Sequence, residues 1–307
     1  MTAPRELRLG TRGSALALAQ SRAIADQLGA EVVVIESEGD RSTESLALMG
    51  GTGVFVTALR TALLNNEVDV IVHSFKDLPT APAEGLAIAA VPPRVDARDA
   101  LCARDGLTLD TLPEGARVGT GSPRRRAQLA ARRPDLEVVD IRGNVDSRLS
   151  RVGSADPERA LDAVVLAVAG LDRLGRTDAI SQHLELAWWP TAPAQGALAV
   201  ETRAGETSIA AKLDHRPSHV AAEAERGVLA RLEAGCSAPI AATAFLEDGM
   251  MFLTARVYAL DGSAQLTASH ALYAADSKDP AGELSTRVAT ELLDAGAADL
   301  APLKGSA

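Results

Sequence analysis

Three short stretches hold the residue types that could do chemistry: GTGSPRRRAQ (119–128), HSFKDLP (73–79) and LEAGCSAPIAA (232–242). In the first, Arg124, Arg125 and Arg126 stand side by side in a chain whose formal net charge is −10. Adjacent guanidiniums repel one another, so water or an anionic partner must offset them. Arginine presents a planar fork of donors that matches a carboxylate or phosphate bidentately. At the start of a helix, beside free backbone N–H groups, such a fork makes an anion site. Arg142 in IRGN and Arg148 in VDSRL add positive charge after the next strand. Arg126, Arg132 and Arg133 read as a solvated basic helix face, whereas Arg124, Arg125 and Arg142, at strand ends, read as an anion site.

In the second stretch, Lys76 and Asp77 follow the apolar run VDVIV and precede a proline. Two readings stand side by side. One is a simple helix start with an acidic first turn. The other is a carboxylate held in a cationic cleft, able to act as general acid or base or to stabilise a developing cation. His73 reads as structural, and no His/Cys spacing suits zinc, so no metal site is expected. In the third stretch, Cys236 sits in a Gly/Ser/Pro loop. It is either an accessible nucleophile or a small buried hydrophobe. Cys102, between Leu101 and Ala103, reads as the latter.

The elements that position these residues repeat. LRLG (7–10) runs through TRGS into ALALAQSRAIADQL, a helix that Ser14 can cap. ARVGTGSPRRRAQLAARR (116–133) has the same design, with Ser122 as the cap and Pro123 in the first turn. EVVVIESEGD (31–40) is echoed by LEVVDIRGNVDSRL (136–149), and VDVIVHSFKDL (68–78) by LDAVVLAVAGLDRLG (161–175). Each half reads β-loop-α, β-loop-α, β, which predicts two similar, doubly wound α/β domains with mostly parallel sheets. Ligands of such sheets bind beyond the carboxyl ends of the strands. Arg12, Ser14, Lys76, Asp77, Thr120 through Arg125 and Arg142 all fall there, and two domains facing each other would line one cleft with them. The last third differs. A helix over 219–234 precedes a three-stranded antiparallel meander turning at Asp-Gly 248–249 and 261–262, and a closing helix follows. This is a small α+β domain, joined through the Pro/Gly-rich PTAPAQGALAVE (190–201).

Composition bounds the function. The chain has 307 residues, 47% hydrophobic and 23% charged, enough for several buried cores in two or three domains. Aromatics make up only 3%, which argues against binding single-stranded nucleic acid by stacking. The acidic balance opposes any polyanion. MTAPRELRLGTRGS carries charges where a signal peptide needs an apolar stretch, and the longest apolar run, AVVLAVAGL (163–171), is too short to span a bilayer. A cytoplasmic protein is expected, with neither membrane nor nucleic-acid partners, and its two cysteines are expected to remain thiols.

Taken together, LRLGTRGSALALAQ, VHSFKDLPT, VGTGSPRR, IRGNVDSRL, LAVAGLDRLG, PAQGALAVE and AERGVLARLEAGCSAPI resemble the porphobilinogen deaminase (hydroxymethylbilane synthase) family, in order from about residue 7 to 240. The resemblance implies a monomeric transferase of tetrapyrrole biosynthesis that joins four porphobilinogen molecules head to tail, releasing ammonia. It implies two periplasmic-binding-protein-like domains, 1–93 plus 190–212 and 94–189, and a third, 213–307. It also implies a dipyrromethane cofactor held through a thioether, whose cysteine matches Cys236, and a catalytic aspartate that matches Asp77. Arg12, Ser14, Lys76, Thr120, Ser122, Arg124, Arg125, Arg142 and Arg148 match positions that hold cofactor and substrate carboxylates, with Gln20 in the same cleft. Each pyrrole of such a substrate carries an acetate and a propionate, which is a reason for clustered arginines. Two departures stand out. Thr52 and Thr57 occupy a lid segment (42–57) where relatives often have lysines, and Gly121 stands where serine is common. The competing reading is a non-catalytic cytosolic protein that binds a multiply anionic small molecule.

Overall fold

The computed structural model describes residues 6–35, 53–235, 238–301 and 303. The chain divides into two compact units, Met1–Arg94 with Ala197–His219, and Val95–Gly196 with Val220–Ala307. The expected lid falls largely outside the described residues, and its end, from Gly53, is helical.

The first unit is built on β1 (Leu7–Thr11), β2 (Ala30–Val34), β3 (Val70–Ser74), β4 (Leu86–Ala90) and the returning β10 (Leu198–Arg203), in the order β2-β1-β3-β10-β4. β1 pairs in parallel with β2 and β3, while β10 lies antiparallel between β3 and β4. The VIV of β3 is buried on both faces, as a central strand covered by helices requires. Helix α1 (Ala15–Leu28) starts where the Ser14 Oγ accepts from the Ala17 N–H, and it ends at Gly29, whose φ of 69° only glycine adopts without strain. Its Ile24 and Ala25 pack on Leu9, Val70 and Val200. Helix α2 (Gly53–Leu64) sets Leu59 and Leu63 against Val68 and Ile71.

The second unit repeats the plan. β5 (Asp99–Ala103), β6 (Arg117–Gly119), β7 (Glu137–Val139), β8 (Ala163–Ala167) and β9 (Gln182–Leu184) run in the order β7-β6-β8-β5-β9. β6 is parallel to β7 and β8, and β5 is antiparallel to β8 and β9. The antiparallel strand therefore occupies the same place in both sheets. Helices α3 (Pro123–Arg132), α4 (Val145–Leu149) and α5 (Val168–Arg173) follow β6, β7 and β8.

Helix α6 (Arg216–Arg231) leads to the meander β11 (Ile240–Glu247), β12 (Met250–Tyr258) and β13 (Gln265–Tyr273), covered by α7 (Pro280–Asp294) and α8 (Ala297–Leu300). The turn at Asp248–Gly249 has positive φ at both residues (49° and 78°), the two-residue hairpin that Asp-Gly favours. Leu253, Val257, Leu284, Val288 and Leu292 close this core. At the other turn, a Cβ on Gly262 would lie 2.6 Å from Ala127 O and Ala131 N, so glycine lets the meander dock directly on α3. Tyr258 is buried there, its hydroxyl accepting from Gln128 Nε2 at 3.0 Å.

One expectation fails at the end of α3. Arg133 is not on a solvated face: its guanidinium donates to Leu109 O, Leu112 O and Asp135. Arg132 stacks over the Trp188 ring, 4.3 Å from its centroid. No helix among the described residues is long and apolar enough to cross a membrane. No cluster of three or more His, Cys, Asp or Glu among them could hold a metal.

Candidate active site

In the first unit, Arg12, Ser14 and Gln20 follow β1, while Lys76 and Asp77 follow its parallel neighbour β3. All five therefore stand at the carboxyl ends of adjacent strands or on the helix that starts there. Ser14 is the α1 cap, accepting from Ala17 N at 3.3 Å. Gln20 is buried, and its Nε2 donates to Ser74 Oγ at 3.0 Å, tying α1 to the last residue of β3. Directly beyond, Phe75–Asp77 form a single 3-10 turn. Phe75 and Leu78 are buried, and Phe75 N donates to Ala197 O at 3.0 Å, so the turn is anchored on both sides. Asp77 is left exposed and Lys76 half-buried. HSFKD thus does start a helix, a single pinned 3-10 turn with Asp77 as its acidic residue, and that turn leaves the carboxylate exposed.

In the second unit, Thr120, Ser122, Arg124 and Arg125 follow β6, and Arg142 and Arg148 follow β7. Thr120 is buried, and its Oγ1 accepts from Ser122 N at 3.2 Å. The Ser122 Oγ caps α3, accepting from Arg125 N at 3.4 Å. At Gly121 a Cβ would lie 2.6 Å from Ile141 O, so the backbone at this glycine approaches more closely than a side chain allows.

The arginines do not form one open row. Arg124 and Arg125 are buried around Asp99, the first residue of β5, which is itself wholly buried. Arg125 NH2 donates to Asp99 Oδ1 (2.6 Å) and NH1 to Val165 O (2.9 Å). Arg124 NH2 donates to Asp99 Oδ2 (2.9 Å), and its NH1 to Gln128 Oε1 (2.6 Å) and Pro190 O (3.1 Å). Trp189 Nε1 and Gln195 Nε2 complete the carboxylate at 2.9 and 2.8 Å. Burial alone would push the Asp99 carboxyl up, but the two guanidiniums and these hydrogen bonds hold it far below the ordinary carboxylate range. Sequence reasoning missed Asp99. It met the arginines as a ligand site and had no signal for the internal carboxylate that organises them. Both arginines were expected on ligand carboxylates, but Arg124 has its terminal nitrogens on Asp99, Gln128 and Pro190, and Arg125 has its own on Asp99 and Val165.

Arg142 is exposed, its Nε 3.5 Å from Asp140 Oδ2. Arg148 is half-buried and donates from Nε to Gly143 O at 2.8 Å. Burial, and then the positive charges of Arg125 and Arg142, hold its guanidinium below the usual arginine range. The carboxylate of Asp140 acts in the opposite direction on Arg148. Arg173, on α5, is a further guanidinium that sequence reasoning passed over; it donates to Gly196 O at 2.9 Å. Cys236 lies outside the described residues. Cys102 is a buried free thiol, which burial pushes up to about 12.

The fold and these residues define an α/β protein with an exposed carboxylate at the end of one sheet, a cluster of arginines at the end of the other and a C-terminal antiparallel sheet. The family model described as porphobilinogen deaminase, dipyromethane cofactor binding domain, matches residues 7–211, and that of the porphobilinogen deaminase C-terminal domain matches 219–294. The porphobilinogen deaminase of Leifsonia xyli subsp. xyli is 58% identical over 97% of this chain and 95% of its own length. That of Micrococcus luteus is 53% identical over 84% of this chain and 79% of its own, and that of Cutibacterium acnes 50% identical over 98% of each. Among solved structures, a putative methionine-binding lipoprotein of Bacillus subtilis aligns at 15% identity over 68% of this chain and 87% of its own, with a TM-score of 0.38.

The chain belongs to the porphobilinogen deaminase family. It is a transferase of tetrapyrrole biosynthesis that polymerises porphobilinogen into hydroxymethylbilane and uses a dipyrromethane cofactor, and the binding-protein alternative is set aside. The residues of the second unit fit that cofactor. Two linked pyrroles bear acetates and propionates, and exposed Arg142, half-buried Arg148 and the buried Arg125 Nε, which has no hydrogen-bond partner among the described residues, offer guanidinium donors that suit carboxylates.

Proposed function

We propose that Asp77 is the catalytic carboxylate of this transferase and that Cys236 is the point of cofactor attachment. The observation that carries the first assignment is the pinned turn: an exposed carboxylate on a support fixed by buried Phe75 and Leu78 can be aimed at a substrate without reorganising. As the aminomethyl group of porphobilinogen loses ammonia, positive charge develops on its methylene-pyrrole. An ionised Asp77 stabilises that charge and the adjacent pyrrole N–H. Dipyrromethane, when bound, supplies the nucleophilic pyrrole carbon that the first substrate joins.

The cations take the substituents. Arg12, Lys76, Arg125, Arg142 and Arg148 bind carboxylates of cofactor and growing chain, with Ser14, Thr120 and Ser122 adding donors at the two helix starts. Arg124 supports the field from behind, and Gln20 holds Ser74 beside the catalytic turn. We place the activity in a cytoplasmic monomer of three domains, 1–93 plus 190–212, 94–189 and 213–307, a state that size-exclusion chromatography tests.

Intact mass tests the attachment. The parent should carry an excess equal to two linked pyrroles, and Cys236→Ser none; the same adduct on the variant would refute the assignment. For Asp77→Asn the shape is kept and porphobilinogen turnover should fall by at least about a hundredfold. Near-parental turnover would remove Asp77 from the mechanism.

A further inference from the structure

We propose that Asp99 is a positioning residue: it fixes the Arg125 guanidinium at the carboxyl end of the second sheet, so that a preset cation meets a carboxylate of the cofactor. The inference deepens, and rests on, the reading of Arg125 as a carboxylate ligand.

Four observations carry it. First, Asp99 gathers four donors from two segments, α3 and the stretch 189–195: Arg125 and Gln195 on Oδ1, Arg124 and Trp189 on Oδ2. A carboxylate saturated in this way has no freedom to turn, and neither has the guanidinium it holds. Second, Arg125 is tied at both terminal nitrogens, to Asp99 and to Val165 O, while its buried Nε, like that of Arg124, has no hydrogen-bond partner among the described residues. Third, Asp99 lies opposite Ala167, the last residue of β8, so the clamp sits at the end of the sheet where ligands of α/β folds bind.

The fourth observation is the charge balance. Two guanidiniums share one carboxylate, and among the described residues no second carboxylate forms an ion pair with either. A surplus buried positive charge is costly unless an anion answers it. Burial first, and then the charges of Arg125 and Arg142, hold the guanidinium of Arg148, which the reading above assigns to the cofactor, below its usual range. Gln195 also donates to Ala97 O (2.9 Å), which joins the PAQG segment to the start of β5 and to the clamp.

The test follows adduct formation rather than turnover. Apoprotein, produced in cells that make no porphobilinogen, is exposed to porphobilinogen, and the gain in intact mass is timed. Parent, Arg125→Lys, Asp99→Asn and the double variant are compared. Arg125→Lys and Asp99→Asn should each slow the adduct by about tenfold or more, since misplacing a binding group by about 1 Å has effects of that order. If Asp99 acts through Arg125, the double variant is no slower than the slower single one. Slowing by the product of the two factors, or Asp99→Asn at the parental rate, overturns the proposal. Arg125→Lys at the parental rate instead overturns the reading beneath it. Where Asp99→Asn does not fold, or a single variant gains no adduct, Gln195→Met decides: it removes one neutral donor and leaves both ion pairs. Adduct formation slowed severalfold, with a melting temperature within a few degrees of the parent, supports the clamp; the parental rate rejects it.

Discussion

The two α/β sheets run in the same strand order, and each carries one buried carboxylate on its antiparallel strand, but the two are balanced differently. In the first unit, Glu201 sits within β10, opposite Ile71 of β3. Arg60 of α2 meets it with a fork, Nε to Oε2 at 3.0 Å and NH2 to Oε1 at 2.8 Å, and His73 Nε2 lies 3.4 Å away. One guanidinium answers one carboxylate, with the His73 ring beside them, and the pair pins a helix to a sheet. In the second unit, Asp99 stands at the strand end and holds two guanidiniums. A balanced pair leaves nothing for a ligand, whereas an unbalanced one leaves a positive charge beside the ligand end of the sheet. The same topology thus yields a single-guanidinium pair within one sheet and two guanidiniums on one carboxylate at the end of the other.

The largest effect should come from breaking the unbalanced cluster. Asp99→Asn leaves two buried guanidiniums without a counter-charge, and about 3–5 kcal/mol of stability should be lost. Denaturant midpoints measure it, and a loss below about 1 kcal/mol would mean that the cluster is hydrated rather than buried. Glu201→Gln should cost less, about 1–3 kcal/mol, because its Arg60 partner is 17% exposed and water can take over part of its hydration. Equal losses at the two sites would erase the distinction between them.

Acid sharpens it further. Burial would raise both carboxyls, but Arg124 and Arg125 hold Asp99, and His73 and Arg60 hold Glu201, below their ordinary values. Unfolded carboxylates titrate near about 4. The stabilisation is therefore complete above about pH 5 and is lost as pH falls through the unfolded range toward the lower folded values. Between about pH 5 and 3 the parent should lose more stability than Asp99→Asn. Identical slopes in urea titrations would show that Asp99 is not paired in the folded chain. The smallest effects belong to the shared feature: Ser14→Ala and Ser122→Ala each remove an N-cap and should cost about 1 kcal/mol by thermal melting.

Local physics was legible in the sequence. Ser14 and Ser122 announce helix starts because a short hydroxyl reaches its own helix's N–H groups three residues on. Asp248–Gly249 announces a hairpin because the turn demands positive φ. HSFKD, GTGSPRR and IRGN marked strand ends, and the second sheet bears its arginines there. The short 3-10 turn under Asp77 was not legible, because its anchors, buried Phe75 and Leu78, look like any apolar residues until the core that receives them exists.

Which arginine faces outward was decided only in three dimensions. Asp99, in RDAL, looks like any surface aspartate. Its partners Arg124, Arg125, Trp189 and Gln195 are 25, 26, 90 and 96 residues away, and Glu201 is 141 residues from Arg60. The sequence by itself determined the caps, the turns, the strand–helix alternation and the motif residues, all of which depend on neighbours within one turn or one strand. Tertiary structure alone decided which charges cancel and which remain, because a buried carboxylate takes its value from groups that only the folded chain brings within hydrogen-bond distance.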